Sequence, residues 1–150
     1  MGCLRLLFWD QLSETIPTLD EADRKQDILL MPELMQETKQ VKHHKKKLVL
    51  LFSAMRHFAE QRRREGWRII DTKISEENSK KTWIEHCQDA LTTQGLTRVV
   101  ITKPSDFRRW QELEAWQKKA PVPVTILEDN RFYCTQGRFR AWAQGRKQLR

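Results

Sequence analysis

Polar side chains that could hold a small ligand follow the first two apolar runs of the sequence. Asp10 and Gln11 come directly after the first run, and Glu33 and Glu37 lie just beyond the second. Carboxylate and amide groups bond well to a flat polar heterocycle or to the hydroxyls of a ribose or ribityl chain. If both runs are parallel strands, these residues meet at the carboxyl edge of the sheet, where open α/β sheets bind ligands. The alternative interpretation of Asp10 is a simple turn cap.

Basic residues form a second candidate site, for phosphate or nucleic acid. The segment Lys39–Arg68 holds ten Lys or Arg against two Glu, so it accounts for the whole net charge of +8. The cations that could contact phosphate are Lys45, Lys46, Lys47, Arg62, Arg63 and Arg64. The three lysines lie near the expected start of a helix, whose N–H groups and dipole favour anions. The alternative interpretation is a solvated basic helix face.

Metal and catalytic sites find little support in the sequence. His43 and His44 are adjacent, so they point in different directions from a helix, and the lysines beside them repel a cation. Neither a GxGxxG nor a GxxxxGK[ST] loop occurs, which argues against ordinary Rossmann dehydrogenases and P-loop proteins. No nucleophile–base pair is evident either. We therefore assign no metal ligand and no catalytic residue.

Length and composition fit a single domain with one core. The chain has 150 residues, of which 39% are hydrophobic and 32% charged. Cys3, Cys87 and Cys134 are too few and too far apart for a disulfide framework or a zinc site, and we expect reduced, buried thiols. The short apolar start is cut by Asp10, so it suits neither a signal peptide nor a membrane span. We therefore expect a cytoplasmic protein.

Apolar runs and helix-like periodicity alternate along the whole chain. The predicted strands are residues 4–9, 27–31, 67–70, 97–102 and 121–127. The predicted helices are residues 43–65, about 78–93, 105–118 and 136–150. Asn78 or Ser79 could cap the second helix, and Ser105 the third. Such alternation, with strands that are apolar on both faces, predicts the α/β class and a doubly wound five-stranded parallel sheet of Rossmann-like type.

Two helices carry more apolar surface than one domain needs. Val49 and Leu50 project from the polar side of the long helix, and a helix that is apolar nearly all round is usually buried on two sides. The last helix carries an apolar stripe formed by Phe139, Trp142 and Leu149. We expect it to run to Arg150 without a stop signal. These faces predict self-association, or fraying beyond about Gly145, and suggest that the chain is the front of a longer protein.

Five stretches of the sequence, taken in order, resemble one protein family. They are DQLS at 10–13, HHKKK at 43–47, SAMRHFAE at 53–60, DNRFYC at 129–134 and WAQGRKQLR at 142–150. They are similar to the amino-terminal part of the deoxyribodipyrimidine photolyase-related proteins, in the iron–sulfur branch of bacterial cryptochromes and (6-4) photolyases. The SAMRHFAE block and the final block are long enough to be specific, and the resemblance runs along the whole chain.

The resemblance implies an α/β antenna domain that binds a light-harvesting chromophore, a ribityl lumazine in the best known members. Asp10, Gln11 and Glu37 match the family pattern and are the residues expected to hold it, whereas Trp9 stands where the family usually has glycine. FAD, the iron–sulfur cluster and the damaged base belong to a longer helical part that this sequence lacks. The resemblance therefore implies a domain, residues 1–150, that does not repair DNA alone.

Two other functions fit the same residues. One is a stand-alone basic module that binds nucleic acid through Lys39–Arg68, for which a strong salt dependence of DNA binding would be the sign. The other is a flavodoxin-like domain that mediates assembly through its apolar helix faces. In the photolyase-related interpretation, DNA binding by this chain should be weak and unspecific, because the lesion pocket lies in the absent part.

Overall fold

Five parallel strands form the centre of the fold. The computed structural model describes residues 2–40 and 43–148, except for the side chains at positions 37, 39 and 40. The strands are β1 (Cys3–Leu6), β2 (Ile28–Leu30), β3 (Arg68–Ile70), β4 (Arg98–Thr102) and β5 (Val124–Leu127). Their order across the sheet is β3-β2-β1-β4-β5, and each pairing is parallel. The predicted doubly wound α/β fold is confirmed.

The central strand β1 fixes the register of the sheet. Leu4 pairs with Ile28 of β2 on one side and with Val99 of β4 on the other. All four residues of β1 are buried, as expected for a sheet that is covered on both faces. From β1 the chain builds outward to β3 and then returns to begin β4, so the strand order reverses between β1 and β4. That reversal is where a ligand crevice forms in such a sheet.

Helices connect and cover the strands. They are a 3-10 helix at Pro17–Leu19, α1 (Met35–Gln40), α2 (Lys45–Arg64), α3 (Trp83–Gln94), α4 (Phe107–Gln117) and α5 (Gln136–Ala143). The short helix α1 has only six residues, too few for a periodic pattern that would predict it. Within the described ranges, no helix combines the length and apolar character that crossing a membrane requires.

The two faces of the sheet carry separate cores. Successive strand residues point to opposite faces, so Leu29 of β2 packs with Phe58 of α2, whereas Leu30 faces the other side. There Leu30 belongs to the same cluster as Leu91 of α3 and Leu113 of α4. Helix α2 and the 3-10 helix therefore cover one face, and α3 and α4 cover the other.

Helix α3 is capped by Thr82, and the predicted cap at Asn78 or Ser79 is wrong. Thr82 Oγ1 accepts a hydrogen bond from Glu85 N at 3.2 Å, and Glu85 Oε2 accepts one from Thr82 N at 2.7 Å. This reciprocal box satisfies two N–H groups at the helix start. Asn78 instead closes the preceding turn, where its Oδ1 accepts from Ser75 N at 2.9 Å.

Helix α4 is capped by Asp106, and the predicted cap at Ser105 is wrong. Asp106 Oδ1 accepts a hydrogen bond from Arg109 N at 3.1 Å. A carboxylate also interacts favourably with the positive end of the helix dipole. The Ser105 hydroxyl points elsewhere and donates to Asp10 Oδ2 at 2.9 Å, so it belongs to the candidate ligand site.

Helix α5 ends at Ala143, and the predicted continuation to Arg150 is wrong. Gln144 leaves the helical conformation with a ψ of 127°. Gly145 follows with a φ of +77°, in the left-handed region that glycine adopts without strain. Gly145 is thus the stop signal that the expected long helix overlooked. Leu149 and Arg150 lie outside the described residues.

Apolar side chains of two helices are exposed, as predicted. Val49 and Leu50 on α2 are 69% and 68% exposed. Phe139 and Trp142 on α5 are 48% and 43% exposed, and no residue of α5 is buried. Nothing in the described ranges covers these two surfaces.

The three thiols differ in their surroundings. Cys3 and Cys87 are free and buried, as expected, whereas Cys134 is free and exposed, so the prediction of burial is wrong for that residue. Burial raises the pKa of both the Cys3 and the Cys87 thiol, which keeps them protonated. Cys134 is exposed because its segment lies between β5 and α5, over neither core.

A buried ion pair holds β1 to the connection that follows it. Arg5 Nε donates to Asp27 Oδ2 at 2.7 Å, and both side chains are nearly inaccessible. Asp27 Oδ1 accepts from Cys3 N at 2.9 Å. Arg5 Nη1 donates to the carbonyls of Thr18 and Asp20 at 2.7 and 2.9 Å. These additional hydrogen bonds are the condition under which a buried ion pair is tolerated.

Replacement of one partner should therefore be costly. We expect Asp27→Ala to lower the free energy of unfolding by about 3–5 kcal/mol, because Arg5 then stays buried without its counter-ion. Urea unfolding followed by circular dichroism measures this loss. The control is Asp89→Ala, which removes an exposed carboxylate paired with Lys81 at 2.6 Å and should leave the midpoint almost unchanged. Equal midpoints for the two variants would contradict the prediction.

His86 on α3 should make stability depend on pH. Its ring is buried, and burial, followed by the charge of Lys81, lowers the pKa of His86 below the ordinary histidine value. The unfolded chain then takes up the proton at a higher pH than the folded chain. Stability is therefore fully present above about pH 6.5 and falls as the pH drops toward the folded pKa.

The variant His86→Gln should flatten this part of the stability curve, since glutamine does not titrate. The exposed His57 supplies the control, because His57→Gln should leave the curve as it is. The measurement is urea unfolding at several pH values between 5 and 8. Curves of the same slope for wild type and His86→Gln would show that another group is responsible.

Candidate ligand site at the carboxyl edge of the sheet

Three loops meet where the strand order reverses, and Asp10 lies at their junction. Asp10 follows β1, and its Oδ2 accepts a hydrogen bond from Ser105 Oγ in the loop after β4 at 2.9 Å. The Asp10 carbonyl accepts a hydrogen bond from Arg131 Nη1 in the segment after β5. The expected position of Asp10 at the carboxyl edge is therefore found, with two partners that are distant in sequence.

The Asp10 carboxylate keeps hydrogen-bonding capacity for a ligand. Asp10 is exposed, and its Oδ1 accepts no hydrogen bond from the described residues. Two guanidinium groups feel its charge. Burial lowers the pKa of Arg109 to about 10, although the Asp10 and Glu112 carboxylates oppose that shift. The pKa of Arg131 is raised, first by its hydrogen bond to Asp129 and in smaller part by Asp10.

Gln11 braces the loop that carries Asp10. Its side chain is fully buried, its Oε1 accepts from Phe8 N at 3.2 Å, and its Nε2 donates to the Thr102 carbonyl at 3.0 Å. Both ends of the amide are thus used by the backbone of the protein. Gln11 links the loop after β1 to the end of β4 and thereby sets the position of Asp10.

Two threonines that the sequence analysis did not select close the base of the same junction. Thr18 Oγ1 and Thr102 Oγ1 are 2.7 Å apart, and Thr102 N donates to Thr18 Oγ1 at 2.8 Å. Both side chains are fully buried. A single threonine at a strand end gives no sequence signal for such a contact, because its partner is 84 positions away.

The two glutamates beyond β2 have different standing. Glu33 is buried, and its carboxylate accepts from Arg56 Nε and Nη2 at 2.5 and 2.9 Å and from Ile74 N at 3.0 Å. Glu33 therefore holds the loop after β3 in place. Glu37 lies in α1, and its side chain is outside the described residues, so its role in ligand binding stays a prediction.

Trp9 covers the side of the junction that faces α2. Its ring centroid lies 5.8 Å from that of His43 in an edge-to-face contact and 6.5 Å from that of Phe52. Such aromatic pairs are favourable beyond the burial of their area. The indole therefore occupies space that a glycine at this position would leave open.

The structure separates the six basic candidates into two groups. Lys45, Lys46 and Lys47 are exposed in the first turn of α2, which contains no acidic residue. His44 caps this turn, with its side chain accepting from Lys46 N at 3.2 Å. The arginines at the other end of α2 are all in ion pairs. They pair as Arg62 with Glu14 and Glu65, Arg63 with Asp71, and Arg64 with Glu60.

Burial distinguishes Arg62 from its neighbours. Only 6% of its side chain is exposed, and its guanidinium lies 5.0 Å from the centre of the Phe58 ring. Arg62 thus links α2 to Glu14 in the connection between β1 and β2. Contact with phosphate by these arginines stays a prediction.

A cavity of about 230 Å³ opens beside Asp10, at the carboxyl ends of β4 and β5. Ser105, which bonds to Asp10, also lines this cavity, together with Lys103, Asp129 and Cys134. Asp129 is held by Arg131 Nη2 at 2.6 Å. Sequence reasoning noted the segment 129–134 only as a family block, because loops after two different strands form the cavity.

A doubly wound α/β sheet with polar side chains at its strand-order reversal defines a class of ligand-binding domain, which typically takes nucleotides and related heterocycles. A family model described as deoxyribodipyrimidine photo-lyase-related protein matches residues 5–150. The (6-4) photolyase of Agrobacterium fabrum (strain C58) is 39% identical over 149 residues, which cover 99% of this chain and 29% of that protein. The chain therefore belongs to the deoxyribodipyrimidine photolyase-related family, and it spans less than a third of that relative.

Proposed function

We propose that this chain is the antenna domain of a photolyase-related protein and that it binds a ribityl lumazine at the junction around Asp10. The observation that carries the proposal is the exposed Asp10 carboxylate. Ser105 and the Gln11-braced loop hold it at the strand-order reversal with one oxygen unused. A carboxylate in this position can accept hydrogen bonds from the ribityl hydroxyls or from a ring N–H group.

The residues around the junction suit such a ligand in distinct ways. Asp10 and Glu37 would accept hydrogen bonds from it, whereas Gln11 acts as a positioning residue because its amide is already bonded to the backbone. Trp9 offers an aromatic wall but narrows the space toward α2. When bound, the lumazine would absorb near-ultraviolet light. In a full-length protein, as the family resemblance implies, it would pass the excitation to FAD.

Light-driven DNA repair or photoreception is the activity that we propose for the whole protein. It rests on the family and on the similarity to a (6-4) photolyase of which this chain matches 29%. FAD and the iron–sulfur cluster would be held by the part of such a protein that has no counterpart here. This chain would therefore contribute light absorption, with no repair reaction of its own.

Titration with a ribityl lumazine tests the proposed site. We expect saturable binding, and Asp10→Ala should weaken it about 10- to 100-fold, since a hydrogen bond to a charged group contributes about 1.5–3 kcal/mol. Lumazine fluorescence and the shift of its absorption band measure the affinity. The control Asp20→Ala removes an exposed aspartate from the connection between β1 and β2 and should leave the affinity unchanged.

Trp9→Gly gives a second arm with the opposite sign. It restores the residue that the family usually has and removes the indole beside His43 and Phe52, so binding should tighten. Equal affinities for wild type and Asp10→Ala would place the chromophore elsewhere. Weaker binding by Trp9→Gly would show that the indole contacts the ligand instead of excluding it.

Weak, unspecific binding to DNA is a second proposal, favoured by the three exposed lysines at the start of α2. Each neutralised phosphate contributes about −0.9 to the slope of log K against log salt concentration. Lys45→Gln/Lys46→Gln/Lys47→Gln should therefore reduce the magnitude of the slope by about 2.7. The control with the same charge change is Lys73→Gln/Lys80→Gln/Lys118→Gln. Equal slopes in the two triple variants would remove the lysine cluster from the interface.

Self-association is a third proposal, favoured by the exposed apolar side chains of α2 and α5. Sedimentation velocity should show a concentration-dependent dimer. Phe139→Ser/Trp142→Ser should reduce this dimer, because aromatic side chains contribute much of the energy of an interface. Val49→Ser/Leu50→Ser tests the other surface. A wild-type protein that stays monomeric at high concentration would contradict this prediction.

A further inference from the structure

A second cavity lies on the opposite side of the sheet from α2 and away from Asp10. It has a volume of about 300 Å³ and lies between α3 and the carboxyl ends of β2 and β3. Leu30, Ile70 and Ala90 give it an aliphatic floor. The loop after β3, which Glu33 holds by accepting from Ile74 N at 3.0 Å, forms part of its wall.

His86 of α3 is the polar group at the centre of this cavity. It is only 6% exposed and lines the cavity, yet no hydrogen bond reaches its ring from the residues that the structure describes. Burial and the nearby Lys81 lower the pKa of His86, so its ring is neutral at neutral pH and offers one N–H donor and one nitrogen acceptor. A buried polar group without a partner is costly, and a ligand would remove that cost.

The charges at the mouth limit what can enter. Lys81 Nζ is 2.6 Å from Asp89 Oδ2, so its charge is compensated, and Glu77 adds a second carboxylate. An anionic ligand would therefore meet net negative charge. A metal ion is no better suited, because no three His, Cys, Asp or Glu side chains converge anywhere in the described ranges. Volume, floor and charge together favour a small, uncharged molecule.

We propose that this cavity binds an uncharged planar heterocycle with an amide edge, whose ring lies on the aliphatic floor and whose N–H and C=O groups bond to His86. A lactam edge places a donor next to an acceptor, and neutral imidazole can pair with either. The cavity is at the lower end of the size range of small-molecule sites, which fits a ligand of one or two rings. This site is separate from the chromophore site, and neither proposal depends on the other.

Uracil is the probe that tests the charge and hydrogen-bonding requirements, and orotate is its control. The two share the same ring and amide edge, but orotate carries a carboxylate. Titration of the isotope-labelled chain, followed through the ring carbon and nitrogen resonances of His86, should give a saturable shift with uracil. Orotate should bind at least about tenfold more weakly. No saturable shift with uracil, or equal affinities for the two compounds, would overturn the proposal.

Two adjacent threonines of α3 supply a matched pair of variants. Thr92 and Thr93 are both exposed, but only Thr93 lines the cavity. Thr93→Met should fill the mouth and abolish the uracil-dependent shift at His86, whereas Thr92→Met should preserve it. Because both positions are on the surface, the two variants should fold, and their backbone amide spectra verify this. An unchanged response in Thr93→Met would show that uracil perturbs His86 from another site.

Discussion

The fold depends on one buried cation, Arg5, at the centre of the sheet. In a doubly wound sheet the connection between the first two strands usually supplies a helix that satisfies its own backbone groups. Here that connection is irregular apart from a 3-10 helix, and its carbonyls turn inward. Arg5 donates to the carbonyls of Thr18, Asp20 and Glu21, while Asp27 balances its charge. One guanidinium thus performs the hydrogen bonding that a helix would otherwise provide.

The same constraint positions the candidate chromophore site. Because Arg5 holds the carbonyl of Thr18, the hydroxyl of Thr18 is left to pair with Thr102 at the end of β4. Gln11 bonds to the carbonyl of that same Thr102. The ends of β1 and β4 are therefore fixed against each other from both sides of Asp10. A ligand that binds there meets a carboxylate whose backbone is already ordered, so little conformational entropy is lost on binding.

Sequence patterns predict the architecture well, because apolar runs and amphipathic stretches record burial directly. They predict the position of Asp10 too, since a polar residue after a strand lies at the sheet edge. They do not predict its partners. Ser105 and Arg131 are 95 and 121 positions away, and only the folded topology brings them together. The helix caps failed for a related reason: Asn78 has a suitable side chain, but a nearby turn uses it first.

Hydrogen-bond satisfaction then distinguishes structural polar residues from residues available to a ligand. Gln11, Glu33 and Arg62 looked equally suited to binding in the sequence, yet each is buried and bonded to groups of the protein itself. Asp10 and His86 are different, because part of their bonding capacity meets no group in the described residues. Buried or ordered polar groups are costly when they stay unpaired, so a fold that retains them gains most when a ligand completes them. The two cavities beside these residues are therefore the places where binding and stability should be coupled.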